Sequence, residues 1–154
     1  MAVELDDADL TILRVLQNDC RTGLEALAQE CHLSVPSVQR RLKRLRENGV
    51  IQKEVAVLDQ NRFDYKMTFI VLVELERESL QQLDLFRKRA RNEPLVQQCY
   101  YVTGEADFIL ICTAHDMQDF EELTHRLFFE NSNVRRFRTS VVMDRTKTGL
   151  TVPI

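Results

Sequence analysis

The chain has 154 residues, which at roughly 100–200 residues per domain makes one domain or two small ones. An apolar fraction of 44% supplies a core and a charged fraction of 29% a solvated surface, which excludes disordered, collagenous and low-complexity classes. A net charge of −3 also argues against a protein that coats nucleic acid through bulk charge.

The longest apolar run, Phe69 to Val73, is far shorter than the ~20 residues a membrane helix needs, and the Met-Ala-Val-Glu start lacks a basic segment ahead of an apolar one. A cytoplasmic protein with no membrane partner is expected. The four cysteines, Cys20, Cys31, Cys99 and Cys112, are far apart with no C-x-x-C pair. They are expected to be reduced and mostly packed as small hydrophobes. Cys31-His32 has no further cysteine or histidine at ligand spacing, so neither a metal nor another cofactor is expected.

Along the chain, Asp6, Asp7 and Asp9 precede the apolar set Leu10, Ile12, Leu13, Val15 and Leu16, with acids where a helix N-terminus favours negative charge. This predicts a first helix. Thr22-Gly23-Leu24-Glu25 has the form of a capping box, and Leu24, Leu27, Ala28 and Cys31 follow at helical spacing. After this short second helix, His32-Leu33-Ser34 leaves about three residues before the next start signal, with Ser34 as cap and Pro36 in the first turn. Two helices joined so tightly cross steeply, as in a helix-turn-helix.

The third helix is predicted from about Val35 to Asn48, with Gly49 as its left-handed stop. Val38, Leu42 and Leu45 fall on one stripe with Val35 at its edge, Gln39 and Arg41 flank it, and Arg40 lies nearly opposite. From Ser34 to Lys53 the bases Arg40, Arg41, Lys43, Arg44, Arg46 and Lys53 meet one acid, Glu47, whereas the preceding segment is acidic. A basic stripe on an acidic chain points to a directed anionic contact. The stripe lies on the helix that enters the major groove in helix-turn-helix docking, which makes Thr22, Ser34, Ser37, Gln39, Arg40, Arg41, Lys43 and Arg44 candidate DNA contacts. Arginine and glutamine suit guanine and adenine edges, and Lys43 and Arg44 suit phosphates.

Val50 to Leu58 reads as a strand leaving this helix, and Asp59-Gln60-Asn61-Arg62 as a polar connection. The expected division is residues 1–60, a helix-turn-helix domain with its linker strand, and 61–154, a second domain. There a strand over Thr68–Leu75 leads to a helix from about Ser79 with Leu80, Leu83, Phe86 and Ala90 on one face, ended by Asn92-Glu93-Pro94. Val96–Thr103 and Phe108–Thr113 pair as a hairpin across Gly104-Glu105-Ala106-Asp107. Asp116 caps a helix carrying Phe120, Leu123, Leu127 and Phe128, and Val134–Met143 is the last strand. The fold class is α+β: a three-helix winged helix-turn-helix followed by a ferredoxin-like βαββαβ domain.

Strands such as Phe69-Ile-Val-Leu-Val are apolar at successive positions, so both sheet faces want burial, and the helices cover one. A second copy of the sheet is the simplest cover, which predicts a homodimer through back-to-back sheets.

Taken together, Leu5-Asp6-Asp7-Ala8-Asp9 through Leu16, Leu33 through Leu45 followed by Gly49-Val50-Ile51, Val102 through Asp107, and Arg138 through Met143 resemble the Lrp/AsnC family of transcriptional regulators. The resemblance covers nearly the whole chain. It implies an N-terminal domain that reads double-stranded DNA and a C-terminal domain that dimerises, often assembles dimers into octamers, and binds a small effector, typically an amino acid. It places the effector at an interface between dimers around the turn holding Gly104 and Asp107, with Tyr101, Val102, Thr103 and Glu105 beside it, Met117 at the start of the second helix and Ser140 on the last strand.

In that setting Asp107 or Glu105 would accept from an ammonium group, and turn amides around Gly104 would hold a carboxylate. Met117 and Tyr101 suit an apolar side chain, which favours leucine or methionine. His32 stands where the family commonly has glycine. The rival classes are an enzyme on a ferredoxin-like fold, for which His115, Asp116 and His125 lack a recognisable nucleophile, and an amino-acid sensor acting on protein partners, against which the basic stripe argues.

Overall fold

A computed structural model describes residues 3–130 and 133–154. The chain forms two compact units: one ends at Val57 and takes in Lys147–Ile154, and the other is Leu58–Thr146. The eight C-terminal residues thus group with the helical unit, whereas the sequence reading put them with the sheet.

The first unit holds α1 (Asp7–Leu16), α2 (Leu24–Cys31) and α3 (Val35–Glu47). Its core is Ile12, Leu27, Ala28, Val38, Leu42 and Leu45, the residues whose spacing marks the apolar face of each helix. A capping box opens α1, with the Asp9 amide donating to Asp6 at 2.9 Å and the Asp6 amide to Asp9 at 3.2 Å. The capping box expected at α2 does not form. Gly23 is the N-cap, and the Thr22 hydroxyl donates back to the Asp19 carbonyl at 2.9 Å.

His32 takes the left-handed conformation (φ 53°, ψ 41°), which lets the Leu33 amide reach the Ala28 carbonyl at 2.9 Å and closes α2 tightly enough for α3 to start at Val35. Ser34 is the N-cap of α3 but makes no side-chain capping bond. Gly49 (φ 69°) ends the helix, and the amides of Val50 and Ile51 both fold back onto the Leu45 carbonyl. The strand expected over Val50–Leu58 is not formed, because no other segment of the described chain lies alongside to complete its ladder. The C-terminal residues instead meet α1: Gln17 exchanges two side-chain bonds with the Val152 backbone (3.0 and 2.8 Å), and Arg14 donates to the Ile154 carbonyl at 2.7 Å.

The second unit begins with a 3-10 turn at Gln60–Phe63 and runs β1 (Met67–Leu75), α4 (Leu80–Asn92), β2 (Val96–Tyr101), β3 (Phe108–Ala114), α5 (Met117–Thr124), a π turn at His125–Phe129 and β4 (Val134–Val141). The strands form one antiparallel sheet in the order β2-β3-β1-β4, the split βαβ arrangement. On the helix side Phe69, Val71, Val73, Phe108, Leu110 and Cys112 pack with Leu83, Phe86, Ala90, Phe120, Leu123, Leu127 and Phe128. Phe69 stacks on Phe120 at 3.8 Å between centroids, pinning α5 to β1. Leu80, expected on the buried face of α4, is 78% exposed because it is the first helical residue after the Ser79 cap, ahead of the turn that meets the sheet.

On the opposite face, Ile70 and Leu72 of β1 stand in register with Ile111 and Ile109 of β3, all half-buried. Tyr100, Arg138 and Ser140 flank them on the edge strands. The cysteines divide more evenly than expected. Cys112 is buried and Cys31 half-buried, while Cys20 and Cys99 are exposed. Burial pushes the Cys112 thiol up to about 12, far from the thiolate form. Among the described residues no helix is long and apolar enough to cross a membrane.

Candidate DNA interface and effector site

The front of α3 is sorted by its ion pairs. Asp9, on the buried stripe of α1, is 0% exposed and accepts from two guanidiniums of α3: Arg41 at 2.9 Å and Arg44. Arg41 also meets Asp6 at 2.7 Å, and its side chain is only 22% exposed. Its Nη1 bonds both acids, so turning Arg41 outward would trade those bonds for water, a loss only partly offset by hydrating the Nε, which is buried with no acceptor. Arg41, expected among the DNA contacts, therefore serves as a strut between α1 and α3. Arg44 keeps 43% of its side chain exposed while bonded to Asp9, so part of it faces solvent in a fixed orientation.

The Asp6 carboxyl is held below its ordinary value, first by the Asp9 amide and then by the Arg41 guanidinium. Arg46 makes two bonds to Glu54, at 3.0 and 2.8 Å, and the guanidinium holds the Glu54 carboxyl low. Lys43 reaches Glu47 at 3.7 Å across an exposed helical turn, an arrangement that leaves its ammonium mobile.

Of the basic residues of α3, Arg40 alone has no ion pair or hydrogen bond among the described residues, and it is exposed beside the equally exposed Gln39. Ser37 is half-buried in the same N-terminal half of the helix, with Ser34 exposed at its cap and Thr22 half-buried before α2. The geometry thus leaves a free guanidinium on the outer face and a free amide on the neighbouring exposed flank, with cations nearer the C-terminal end. Asp6 and Asp9 are the residues the sequence reading missed. The signal was an acid falling in step with Ile12, Leu13 and Leu16 on an otherwise apolar stripe, where only a buried partner makes a carboxylate acceptable.

The residues linked to an effector are more dispersed. Tyr101 ends β2, and the Val102 amide donates to the Asp107 carbonyl at 2.9 Å to start the hairpin turn. Gly104 (φ 117°) takes a conformation that side chains resist, and a Cβ there would meet open space, so the turn needs glycine for its backbone. One oxygen of the Asp107 carboxylate accepts from the Leu75 amide at 2.6 Å, tying the hairpin to the end of β1. Glu105 is exposed and lies 3.3 Å from Arg138 of β4, and Thr103, two residues before Glu105, is also exposed.

Met117 and Ser140 are not gathered to this turn. Phe108 at the hairpin end of β3 pairs with Val73, and Ala114 at the other end pairs with Met67, so α5 starts from the far end of the strand. Met117, 54% exposed, borders a groove with Phe120 and Phe137, and Ser140 lies beside Ile70 on the uncovered face. The remaining histidines have local partners: His115 stacks on Tyr65 at 3.8 Å, His125 meets Phe129 at 5.1 Å, and Asp116 caps α5.

A three-helix unit with a tight α2–α3 turn, followed by a ferredoxin-like sheet, defines a helix-turn-helix protein with an appended α+β domain. Residues 5–46 match the AsnC-type helix-turn-helix domain and residues 68–152 the Lrp/AsnC ligand binding domain. The chain is 47% identical to an uncharacterized HTH-type transcriptional regulator of Sinorhizobium fredii over 99% of this chain and 90% of that one. It is 34% identical to the leucine-responsive regulatory protein of Rhizobium meliloti over 99% of this chain and 97% of that one. A transcriptional regulator from Neisseria meningitidis, solved as an L-Met complex, superposes with a TM-score of 0.90 at 27% identity, covering 97% of each chain. The chain belongs to the Lrp/AsnC family of DNA-binding transcriptional regulators.

Proposed function

We propose that this regulator reads specific DNA sites through Gln39 and Arg40 of α3 and that a small amino acid modulates its assembly or its DNA binding. The observation that carries the reading is the division of labour on α3. Arg41 and Arg44 are bound to a buried carboxylate and fix the helix, which leaves Arg40 and Gln39 free to meet base edges. Ser34, Ser37, Thr22, Lys43 and the exposed part of Arg44 serve the phosphates on either side.

Two reading helices are set at a fixed spacing by a homodimer in which the uncovered sheet faces, centred on Ile70, Leu72, Ile109 and Ile111, pack back to back. Placing a charge there with Ile109→Asp is expected to leave a folded monomer by analytical ultracentrifugation; an unchanged dimer would contradict this interface. Dimers assemble further, to an octamer of four dimers, with the effector between them.

The hairpin supplies the amino-acid chemistry. The second oxygen of Asp107 and the Glu105 carboxylate accept from an ammonium, and turn amides beside Gly104 receive a carboxylate. Tyr101, Val102 and Thr103 form the adjoining wall, and Met117 and Ser140 join from neighbouring chains. This explains why one chain does not gather them. The apolar character of Tyr101 and Met117 favours leucine or methionine, in line with the leucine-responsive name of one relative and the L-Met complex of another.

A thermal-shift screen against the twenty amino acids, with particle size measured for each hit, tests this reading. Leucine or methionine is expected to raise the melting temperature and change the assembly. Asp107→Asn, which keeps an acceptor for the Leu75 amide, is expected to abolish the shift while leaving the unliganded fold intact.

A further inference from the structure

The groove between α4 and β2 has no role in the reading above. In the sheet register Val96, Cys99 and Tyr101 stand opposite Cys112, Leu110 and Phe108 of β3, so all three lie on the face that α4 covers. β2 is an edge strand, which leaves this face open along one side and creates a pocket of about 430 Å3. That volume suits a small molecule, since ligand pockets commonly measure ~300–1,000 Å3.

Buried Phe108 and half-buried Val96 form an apolar strip on the floor, and Gln97 and Gln98 add polar lining beside it. Two guanidiniums, Arg87 and Arg91, stand one helical turn apart on α4 at the mouth. Arg87 lies over the Tyr101 ring at 5.0 Å and shares a 2.7 Å bond with Asp84, whose side chain is 72% exposed. Arg91 has no ion pair or hydrogen bond among the described residues. Like charges spaced in this way repel one another on a helix, and the partial negative charge of the helix end offsets only part of that repulsion. Cys99 keeps solvent access, yet partial desolvation against the groove pushes its thiol up, and Arg87 and Arg91 pull it back.

An apolar strip with two under-compensated guanidiniums at its rim is complementary to an anion carried on a hydrophobic body. We propose that the α4–β2 groove is a binding site for a small monocarboxylate with an apolar or aromatic body, contained within a single chain and sharing only Tyr101 with the hairpin effector site. The carboxylate bridges Arg91 and Arg87, and the body lies on Val96 and Phe108 against the Tyr101 ring. The geometry favours a carboxylate on an apolar body over inorganic phosphate, because a hydrated mono- or dianion has no body to lay on Val96, Phe108 and the Tyr101 ring.

Isothermal titration calorimetry of the full chain with phenylacetate tests this, with phenylacetamide as the uncharged isostere and inorganic phosphate as the anion without a body. Phenylacetate is expected to bind saturably, with phenylacetamide and phosphate each about tenfold weaker or more. Arg91→Gln and Arg87→Gln should each weaken phenylacetate about tenfold or more. Because α3 is untouched, Arg91→Gln should keep wild-type DNA affinity, so a failure here is separable from a failure of the regulator reading. Absence of saturable phenylacetate binding, equal binding of phenylacetamide or phosphate, or unchanged affinity in Arg91→Gln would overturn the proposal.

Discussion

The reading helix and the effector hairpin are both surface features, yet one is complete within a single chain and the other is not. Every group that orients α3 is in the first unit: the Asp9 carboxylate, the Arg41 strut and the apolar stripe Val38, Leu42 and Leu45. The hairpin holds its own shape through Asp107 and Gly104, but Met117 and Ser140 point to surfaces that a single copy leaves open. The difference shows which function tolerates isolation. In the proposed function, DNA reading needs a rigid helix and then a spacing, whereas effector sensing needs neighbouring chains to complete its site.

Breaking the first region should therefore cost stability, and altering its free residues should cost only recognition. Asp9→Ala is expected to have the largest effect, lowering the stability of the helical unit by about 3 kcal/mol in denaturant unfolding. The low end of the range for a severed buried pair applies because Arg44 and Arg41 can still reach water. A loss below about 0.5 kcal/mol would mean the carboxylate does not hold α3.

Arg40→Ala comes next. It should leave the unfolding midpoint unchanged and cost about 1–3 kcal/mol at one base step of a specific site. Lys43→Ala, by contrast, should weaken cognate and random DNA alike and reduce the slope of log affinity against log salt by about one. Measuring both variants over a salt series separates reading from phosphate attraction.

The smallest effect is electrostatic. Because the folded value of Asp6 is depressed, its contribution to stability is present above its ordinary value near 3.8 and is lost as pH falls through the lower folded value. Asp6→Asn should remove that part of the acid dependence, so its stability falls less than that of the wild type on acidification from pH 5. A parallel decline in both proteins would show that Arg41 and the Asp9 amide do not distinguish the ionised carboxylate.

The element order was legible from periodicity because each helix buries one stripe and each strand of the second unit finds an antiparallel neighbour in the same chain. Val50–Leu58 has the composition of a strand but no such neighbour, so its propensity goes unused. The left-handed conformation of His32 has its signal in the family resemblance, since the residue stands where glycine is common. Thr22 and Glu25 have the spacing of a capping box that does not form, while the box that does form uses two aspartates, Asp6 and Asp9.

At the candidate site, residue type announced a basic face, but the roles within it depend on pairs between residues more than thirty positions apart. Arg40 and Arg41 are adjacent and chemically identical, and only the position of Asp9 on the facing helix separates the free one from the bound one. The C-terminal bonds from Val152 and Ile154 to Gln17 and Arg14 were invisible for the same reason.

The most direct measurement is the affinity of wild type and Arg40→Ala for a duplex selected by the wild type from a random pool, compared with their affinity for an unselected duplex at the same salt. A loss confined to the selected duplex, with the unselected affinity unchanged, is the predicted result. An equal loss on both would contradict the assignment of the free guanidinium of α3 to base reading.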